Sequence, residues 1–178
     1  MPRLNVVDPA SATGAVKEIF DGPLKGKHVN IFKGFANSPA AFQGFLGFKG
    51  GLDSGELSPA EGELVALIVG EANTCDYCVA AHTTIGKSVG LTEDQAVAAR
   101  KGDAIGDARL DAIATFTRAL VEKRGFVEDA DIDAFRSAGF GDSEIVEIIG
   151  LLALNTFTNY FNHVNETVID FPAVPALA

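Results

Sequence analysis

The stretch that decides the fold is residues 58–91, "SPAEGELVALIVGEANTCDYCVAAHTTIGKSVGL". It opens on a capping box, because Ser58 is followed by a proline at the first helical position and by Glu61 three residues later. Apolar residues then recur at helical spacing. The pattern predicts a helix from about Pro59 to Ala72.

A second predicted helix in this stretch carries both cysteines of the chain. Asn73-Thr74 interrupts the first helix, and either residue is suited to cap the next one, which would run to a Gly90-Leu91 ending. Cys75 and Cys78 then lie in a first turn, with Cα atoms roughly 5 to 6 Å apart, which a disulfide tolerates. His82 follows at the spacing that places it on the same face as the cysteines.

This placement would make the two cysteines reactive as thiolates. A helix N-terminus offers unpaired N–H groups and a partial positive charge, which stabilise a thiolate and lower a thiol pKa from about 8.5 toward neutrality. His82 lies one turn after Cys78 and could relay its proton, with a carboxylate behind it. Glu63 is the favoured carboxylate, because its neighbours are apolar and an inward charge there needs a partner. Glu61 belongs to the capping box, and Glu71 is expected to be solvated near the helix end.

One carboxylate, two cysteines and one histidine thus stand at fixed spacing: Glu63, Cys75, Cys78 and His82. This spacing resembles the E-x11-C-x-x-C-x3-H signature of the alkylhydroperoxidase D branch of the carboxymuconolactone decarboxylase family. The resemblance is strong over residues 58–100, and "FGDSEIVEIIGLLALNTFTNYFNHV" matches the closing helix of that family more loosely. It implies an all-α fold, one domain spanning residues 1–178, and assembly into a homotrimer or homohexamer.

The resemblance also implies a thiol-dependent peroxidase that needs no haem, metal or other cofactor. Cys78 would attack the hydroperoxide and Cys75 would close the disulfide, with Glu63 and His82 as a proton relay. A lipoyl-carrying or thioredoxin-like protein would supply the electrons. The best-studied members carry a histidine between the cysteines, where this chain has Tyr77, so the resemblance leaves the substrate open.

Other interpretations of the motif remain open at this point. Buried cysteines can act as small apolar residues, and the same four side chains could bind zinc. A c-type haem site is excluded because Val79, and not a histidine, follows the second cysteine. A redox sensor and a lactone decarboxylase are the rival functions, although decarboxylation has no use for a dithiol.

The rest of the chain is also predicted to be helical, with no alternating strand pattern longer than a few residues. "SPAAFQGFLGFKGGL" is predicted as a helix capped by Ser38, and Asp142 or Ser143 is expected to cap a long, largely buried final helix. "KGKHVNIFKGFAN" is predicted to be irregular, and the tail "TVIDFPAVPALA" to be extended. Further helices are predicted for "GAVKEIFDGPL" and for residues 92–101, 107–124 and 129–137.

The composition of the chain limits the classes of partner that it could bind. The formal net charge is −10 and the pI about 4.6, which argues against binding to a nucleic-acid backbone. The apolar runs are too short to cross a membrane and the first residues do not resemble a signal peptide, so a cytoplasmic protein is expected. His28 and His163 are interpreted as structural histidines. Three asparagines near His163 could line a subunit contact: Asn159, Asn162 and Asn165.

Overall fold

The structure is a computed structural model that describes residues 1–174 and residue 177. The regular secondary structure of the described residues is helical, which confirms the predicted all-α class, and a 3₁₀ turn at Pro9–Ser11 precedes the α-helices. The helices are α1 (Gly14–Asp21), α2 (Asn30–Phe35), α3 (Pro39–Leu52), α4 (Pro59–Ala72), α5 (Asp76–Ser88), α6 (Glu93–Lys101), α7 (Ala108–Glu122), α8 (Asp129–Ser137) and α9 (Asp142–Asn165).

Helix starts with a local capping signal lie where the sequence predicts them. At the start of α4, the Ser58 hydroxyl accepts the Glu61 N–H and the Glu61 carboxylate accepts the Ser58 N–H. Thr92 makes the same reciprocal pair with a glutamine at the start of α6. Ser38 caps α3 through its side chain, as expected. These ends are set by residues within one turn of each other.

Two predicted helix starts are wrong. The residue at the N-cap of α5 is Cys75, because Thr74 adopts a left-handed conformation (φ 54°) and the Asn73 side chain reaches across to Asn159 on α9. The N-cap of α9 is Gly141, not Asp142 or Ser143.

The segment predicted to be irregular contains α2. This six-residue helix has no side-chain cap, and its apolar residues Ile31 and Phe35 are buried. Gly34 faces Phe161 of α9 closely enough that an added Cβ would lie 2.6 Å from the ring carbon Cζ. Tertiary packing therefore stabilises a helix that its own glycine-rich sequence does not favour.

Helix α4 is the centre of the molecule. All residues from Leu64 to Val69 are buried, since α5, α6, α7 and α9 pack around it. The apolar core has two parts, one formed by α4 and α6–α8 and the other by α1–α3 and the start of α5, with α9 contributing to both. Cys75 and Cys78 belong to the second part.

The prediction of a largely buried α9 is wrong for this chain. One face of α9 packs against the rest of the fold, while the other carries exposed apolar side chains. Whether this exposed face is covered in a homotrimer or homohexamer stays a prediction. The single domain over residues 1–178 also stays a prediction. The exposed apolar residues of α9 include Val146, Ile149, Phe157, Tyr160 and Val164.

The tail returns toward the start of the chain after α9. Up to residue 174 it forms no helix or strand, and its backbone and Asp170 contact Asn30 at the start of α2. The last part of the predicted extended tail, including Pro175, lies outside the described residues. Within the described residues, none of the helices combines the length and apolar character of a membrane span.

A candidate dithiol active site at the start of α5

Cys75 and Cys78 form a disulfide, with an S–S distance of 2.09 Å and Cα atoms 5.3 Å apart. The Cα separation lies within the range predicted from the helical spacing. Both cysteines are almost fully buried, at 1% and 2% exposure. The chain thus places a closed dithiol pair in its core, at the N-terminus of a helix.

The turn between α4 and α5 fixes the first sulfur. The Cys75 N–H donates to the Gly70 carbonyl oxygen (2.9 Å), which closes the end of α4. The Cys75 Sγ then accepts the backbone N–H of Cys78 at 3.3 Å, the bond that a serine or aspartate side chain makes at an ordinary N-cap. Cys75 therefore receives both an N–H donor and the positive end of the helix dipole.

Glu63 of α4 and His82 of α5 form a hydrogen-bonded pair. The Glu63 Oε2 lies 2.7 Å from the His82 Nδ1, and the two side chains are 16% and 21% exposed. The carboxylate accepts and the imidazole donates through Nδ1, so Nε2 is the ring nitrogen that faces away from Glu63. His82 follows Cys78 by one helical turn on α5, so the disulfide and the Glu63–His82 pair lie one turn apart along that helix.

The two other candidate carboxylates have structural partners. Burial alone would raise the pKa of Glu61, but its bonds to Arg109 and to the Ser58 N–H outweigh burial and hold that pKa below its usual value. The Glu71 Oε2 accepts from the Arg100 Nε at 2.7 Å. The expectation of a solvated Glu71 is therefore wrong, because it forms an ion pair.

Tyr77, between the cysteines, is buried and bound at its hydroxyl. The hydroxyl donates to the Asp170 Oδ1 (2.8 Å) and accepts the backbone N–H of Ile31 (3.3 Å). Burial, together with the neighbouring carboxylate, raises the pKa of Tyr77 far above its usual value. The ring of Phe171 contacts Tyr77 edge-on, with centroids 5.6 Å apart. Tyr77 thus ties the tail and α2 to the first turn of α5.

The side chain of Asn162, which the sequence suggested for a subunit contact, instead contacts the sulfur of Cys78. The Asn162 Nδ2 lies 3.3 Å from the Cys78 Sγ. The expectation that these asparagines line a subunit contact is wrong, since Asn159, Asn162 and Asn165 are all buried inside the fold. The signal in the sequence was the recurrence of asparagine along one stripe of α9, starting at Asn155.

The other histidines lie outside this site. His28 is exposed and packs on the Phe20 ring, while His163 is exposed on α9. Among the residues that the structure describes, no three or more histidine, cysteine or acidic side chains are grouped as metal ligands. The four motif residues considered for zinc are included in that statement.

The central segment of the chain matches a known protein family. Residues 39–122 match the Carboxymuconolactone decarboxylase family, and this range includes the whole of the α4–α5 motif. No curated protein matches the chain significantly in sequence.

Solved structures share the fold over nearly the whole chain. A peroxidase-related protein from Ralstonia eutropha JMP134, described as an alkylhydroperoxidase AhpD core, superposes with a TM-score of 0.84 at 23% identity, covering 95% of this chain and 92% of that one. A peroxidase-related protein from Silicibacter sp. TM1040 gives 0.77 at 22% identity, covering 94% of each chain. A variant of the debrominase Bmp8 in complex with 2,3,4-tribromopyrrole gives 0.74 at 17% identity, covering 96% and 94%. The fold is therefore alkylhydroperoxidase D-like, as the motif suggested.

Proposed function

We propose, from the premise that residues 39–122 belong to the carboxymuconolactone decarboxylase family, that this chain is a thiol-dependent peroxidase. It reduces hydroperoxides to alcohols at Cys78 and stores the oxidation as the Cys75–Cys78 disulfide. Glu63 and His82 move the protons. The observation that carries the proposal is the disulfide within a first turn, next to the hydrogen-bonded Glu63–His82 pair.

In the reduced protein, His82 takes the proton of the Cys78 thiol, and the resulting thiolate attacks the terminal oxygen of the hydroperoxide. The O–O bond breaks, the alkoxide leaves with the electron pair and takes a proton from the His82 imidazolium, and Cys78 becomes a sulfenic acid. The Cys75 thiolate then attacks the sulfenic sulfur. The disulfide forms, the sulfenic S–O bond breaks, and the oxygen leaves as water by taking up the proton that the Cys75 thiol has released.

The cycle closes when an external dithiol reduces the disulfide and is itself oxidised to a disulfide. A lipoyl-carrying or thioredoxin-like protein is the class of reductant proposed, in a compartment such as the cytoplasm where dithiols stay reduced. Cys75 suits the role of the leaving thiolate in this step. Its sulfur already accepts the N–H of Cys78 at the helix N-terminus, and a stabilised thiolate leaves faster.

The test compares Cys78→Ser and Cys75→Ser with the wild-type chain. With dithiothreitol as the electron donor and cumene hydroperoxide as the substrate, Cys78→Ser is expected to consume no peroxide above background. Cys75→Ser, reduced first and then treated with cumene hydroperoxide after the dithiothreitol has been removed, is expected to complete the first half-reaction, so that a sulfenic acid accumulates on Cys78 and can be trapped with dimedone and located by mass spectrometry. Unchanged peroxide consumption by Cys78→Ser contradicts the assignment.

The same assay separates the rival functions. Dithiothreitol re-reduces a redox sensor as well as an enzyme, so the rate separates them: a sensor would consume peroxide close to the background rate, whereas an enzyme turns over well above it. A decarboxylase would release carbon dioxide from a carboxylated lactone in the Cys78→Ser variant as well. Because the Bmp8 relative is named a debrominase, a bromopyrrole belongs in the substrate panel, with bromide release as its readout.

A further inference from the structure

The buried face of α9 supplies polar contacts to the centre of the molecule. None of its buried residues is charged, and asparagine recurs along the stripe that faces inward. At one point this stripe meets the dithiol, where the Asn162 Nδ2 lies 3.3 Å from the Cys78 Sγ. A disulfide sulfur carries no hydrogen, so the amide N–H group, and not the carbonyl, must face it.

Asn162 differs from the other asparagines of α9 in what it binds. The Asn155 Nδ2 donates to the Leu151 carbonyl of its own helix (2.8 Å). The Asn165 side chain is satisfied at both ends, since it accepts the Leu4 N–H and donates to the Thr167 hydroxyl. Asn162 donates only to sulfur, and its Oδ1 is buried without a partner in the described part of the chain.

An asparagine at position 162 does not favour the stability of the fold while Cys78 is in the disulfide. A buried carbonyl oxygen without a donor destabilises the fold, and a neutral sulfur is only a weak acceptor. An apolar side chain of similar shape would avoid the orphaned oxygen. The amide becomes valuable when the sulfur is charged, because hydrogen bonds to charged groups are much stronger than those to neutral ones.

We propose that Asn162 is a catalytic residue that donates its N–H to the Cys78 thiolate and thereby keeps Cys78 ionised at neutral pH. This role rests on the proposed function, in which Cys78 attacks the hydroperoxide. Each sulfur then has its own N–H donor: the backbone of α5 serves Cys75, and the side chain from α9 serves Cys78. The hydrogen bond stabilises the Cys78 thiolate before it attacks, and the Asn162 amide itself neither gains nor loses a proton.

Ionisable groups on the elements around Cys78 must be held constant in a test. Glu63 lies on α4, and Asp76, Tyr77 and His82 lie on α5 with Cys75. Asp170 lies on the tail bound to Tyr77. The buried face of α9 adds no charge to this set. A substitution of Asn162 by an uncharged residue therefore changes the donor to Cys78 and leaves those groups in place.

The test measures the ionisation of Cys78 without any peroxide. In a Cys75→Ser background, which cannot form the disulfide, the rate of alkylation of Cys78 by iodoacetamide is followed from pH 5 to 10. Asn162→Leu is expected to move the rate profile to higher pH and to slow alkylation about ten-fold at pH 7. Its thermal midpoint is expected not to fall, because the orphaned oxygen is removed.

Asn155→Leu is the matched control. It removes a buried asparagine of the same helix whose hydrogen bond stays within that helix, and its alkylation profile is expected to equal that of the parent. Asn162→Asp is the second variant, should Asn162→Leu fail to fold. It keeps the shape of the side chain but places a negative charge beside the thiolate, so it is expected to shift the profile at least as far.

An Asn162→Leu profile that coincides with the parent overturns the proposal, as does an equal shift in Asn155→Leu. These outcomes are independent of the peroxidase assignment, because alkylation needs no hydroperoxide. A shifted profile in a protein that consumes no peroxide supports the role of Asn162 at Cys78 and overturns the proposed function alone.

Discussion

Replacing Glu63 by glutamine tests the proposed proton relay most directly. The Glu63 Oε2 accepts the Nδ1–H of His82 at 2.7 Å. Glutamine has the same length and can still accept this bond through its amide oxygen, so the position of the imidazole is kept. What changes is the charge, since a neutral amide stabilises a developing imidazolium less than a carboxylate does.

The size of the effect follows from the hydrogen bond. A bond to a charged group contributes about 1.5 to 3 kcal/mol, against about 0.5 to 1.5 for a neutral one. The difference, about 1 to 1.5 kcal/mol, lies at the lower end here because the Glu63 and His82 side chains are partly exposed and solvent screens their charges. At about 1.4 kcal/mol per factor of ten, the expected loss in kcat/KM is about 5-fold.

The assay is kcat/KM for cumene hydroperoxide with dithiothreitol in excess, measured in the wild type and in Glu63→Gln. The matched control is Glu71→Gln on the same helix, where the carboxylate accepts from Arg100 and not from His82. The control is expected to stay within two-fold of the wild type. A Glu63→Gln enzyme with wild-type kcat/KM, or an equal loss in Glu71→Gln, refutes the relay.

Two further predictions concern stability. Gly34→Ala would place a Cβ 2.6 Å from the Phe161 Cζ, so urea unfolding should show a loss of about 1 to 3 kcal/mol, whereas Gly44→Ala, with no atom within 4 Å of the added Cβ, should show none. The second prediction concerns the loss of stability at alkaline pH. Burial raises the pKa of Tyr77 in the folded protein, so above about pH 10 the unfolded chain releases the hydroxyl proton while the folded chain keeps it. The contribution of Tyr77 is full below that pH and declines as pH rises above it, so urea midpoints between pH 9 and 11 should fall less steeply in Tyr77→Phe than in the exposed control Tyr160→Phe; equal slopes would contradict this.

The sequence was most informative where a few adjacent residues determine the structure. The start of α4 could be predicted because Ser58 and Glu61 satisfy each other's N–H groups within one turn. Glu63 and His82 could be paired because the motif places them on facing helices, and the structure brings them within 2.7 Å. Their catalytic roles stay a prediction, because geometry alone does not demonstrate proton transfer.

Features that depend on distant parts of the chain were missed. Helix α2 is stabilised by burial of Ile31 and Phe35 and not by any capping residue. The bond from Tyr77 to Asp170 joins residues that are 93 positions apart. Nothing near Tyr77 in the sequence indicates that its hydroxyl binds the tail, so the role of this residue between the two cysteines could not be predicted.

The two sulfurs show the same division between local and distant control. The donor to Cys75 is the backbone N–H of Cys78, so any helix that begins at this cysteine supplies it. The donor to Cys78 is the side chain of Asn162, which lies beyond the segment 39–122 that matches the family. The motif by itself therefore supplies an N–H donor to Cys75 only. The donor to Cys78 is present only when α9 packs against α5. If Cys78 is the attacking thiolate, its ionisation depends on that packing, and substitutions in α9 that remove the Asn162 contact should move its alkylation profile to higher pH while the motif itself is unchanged.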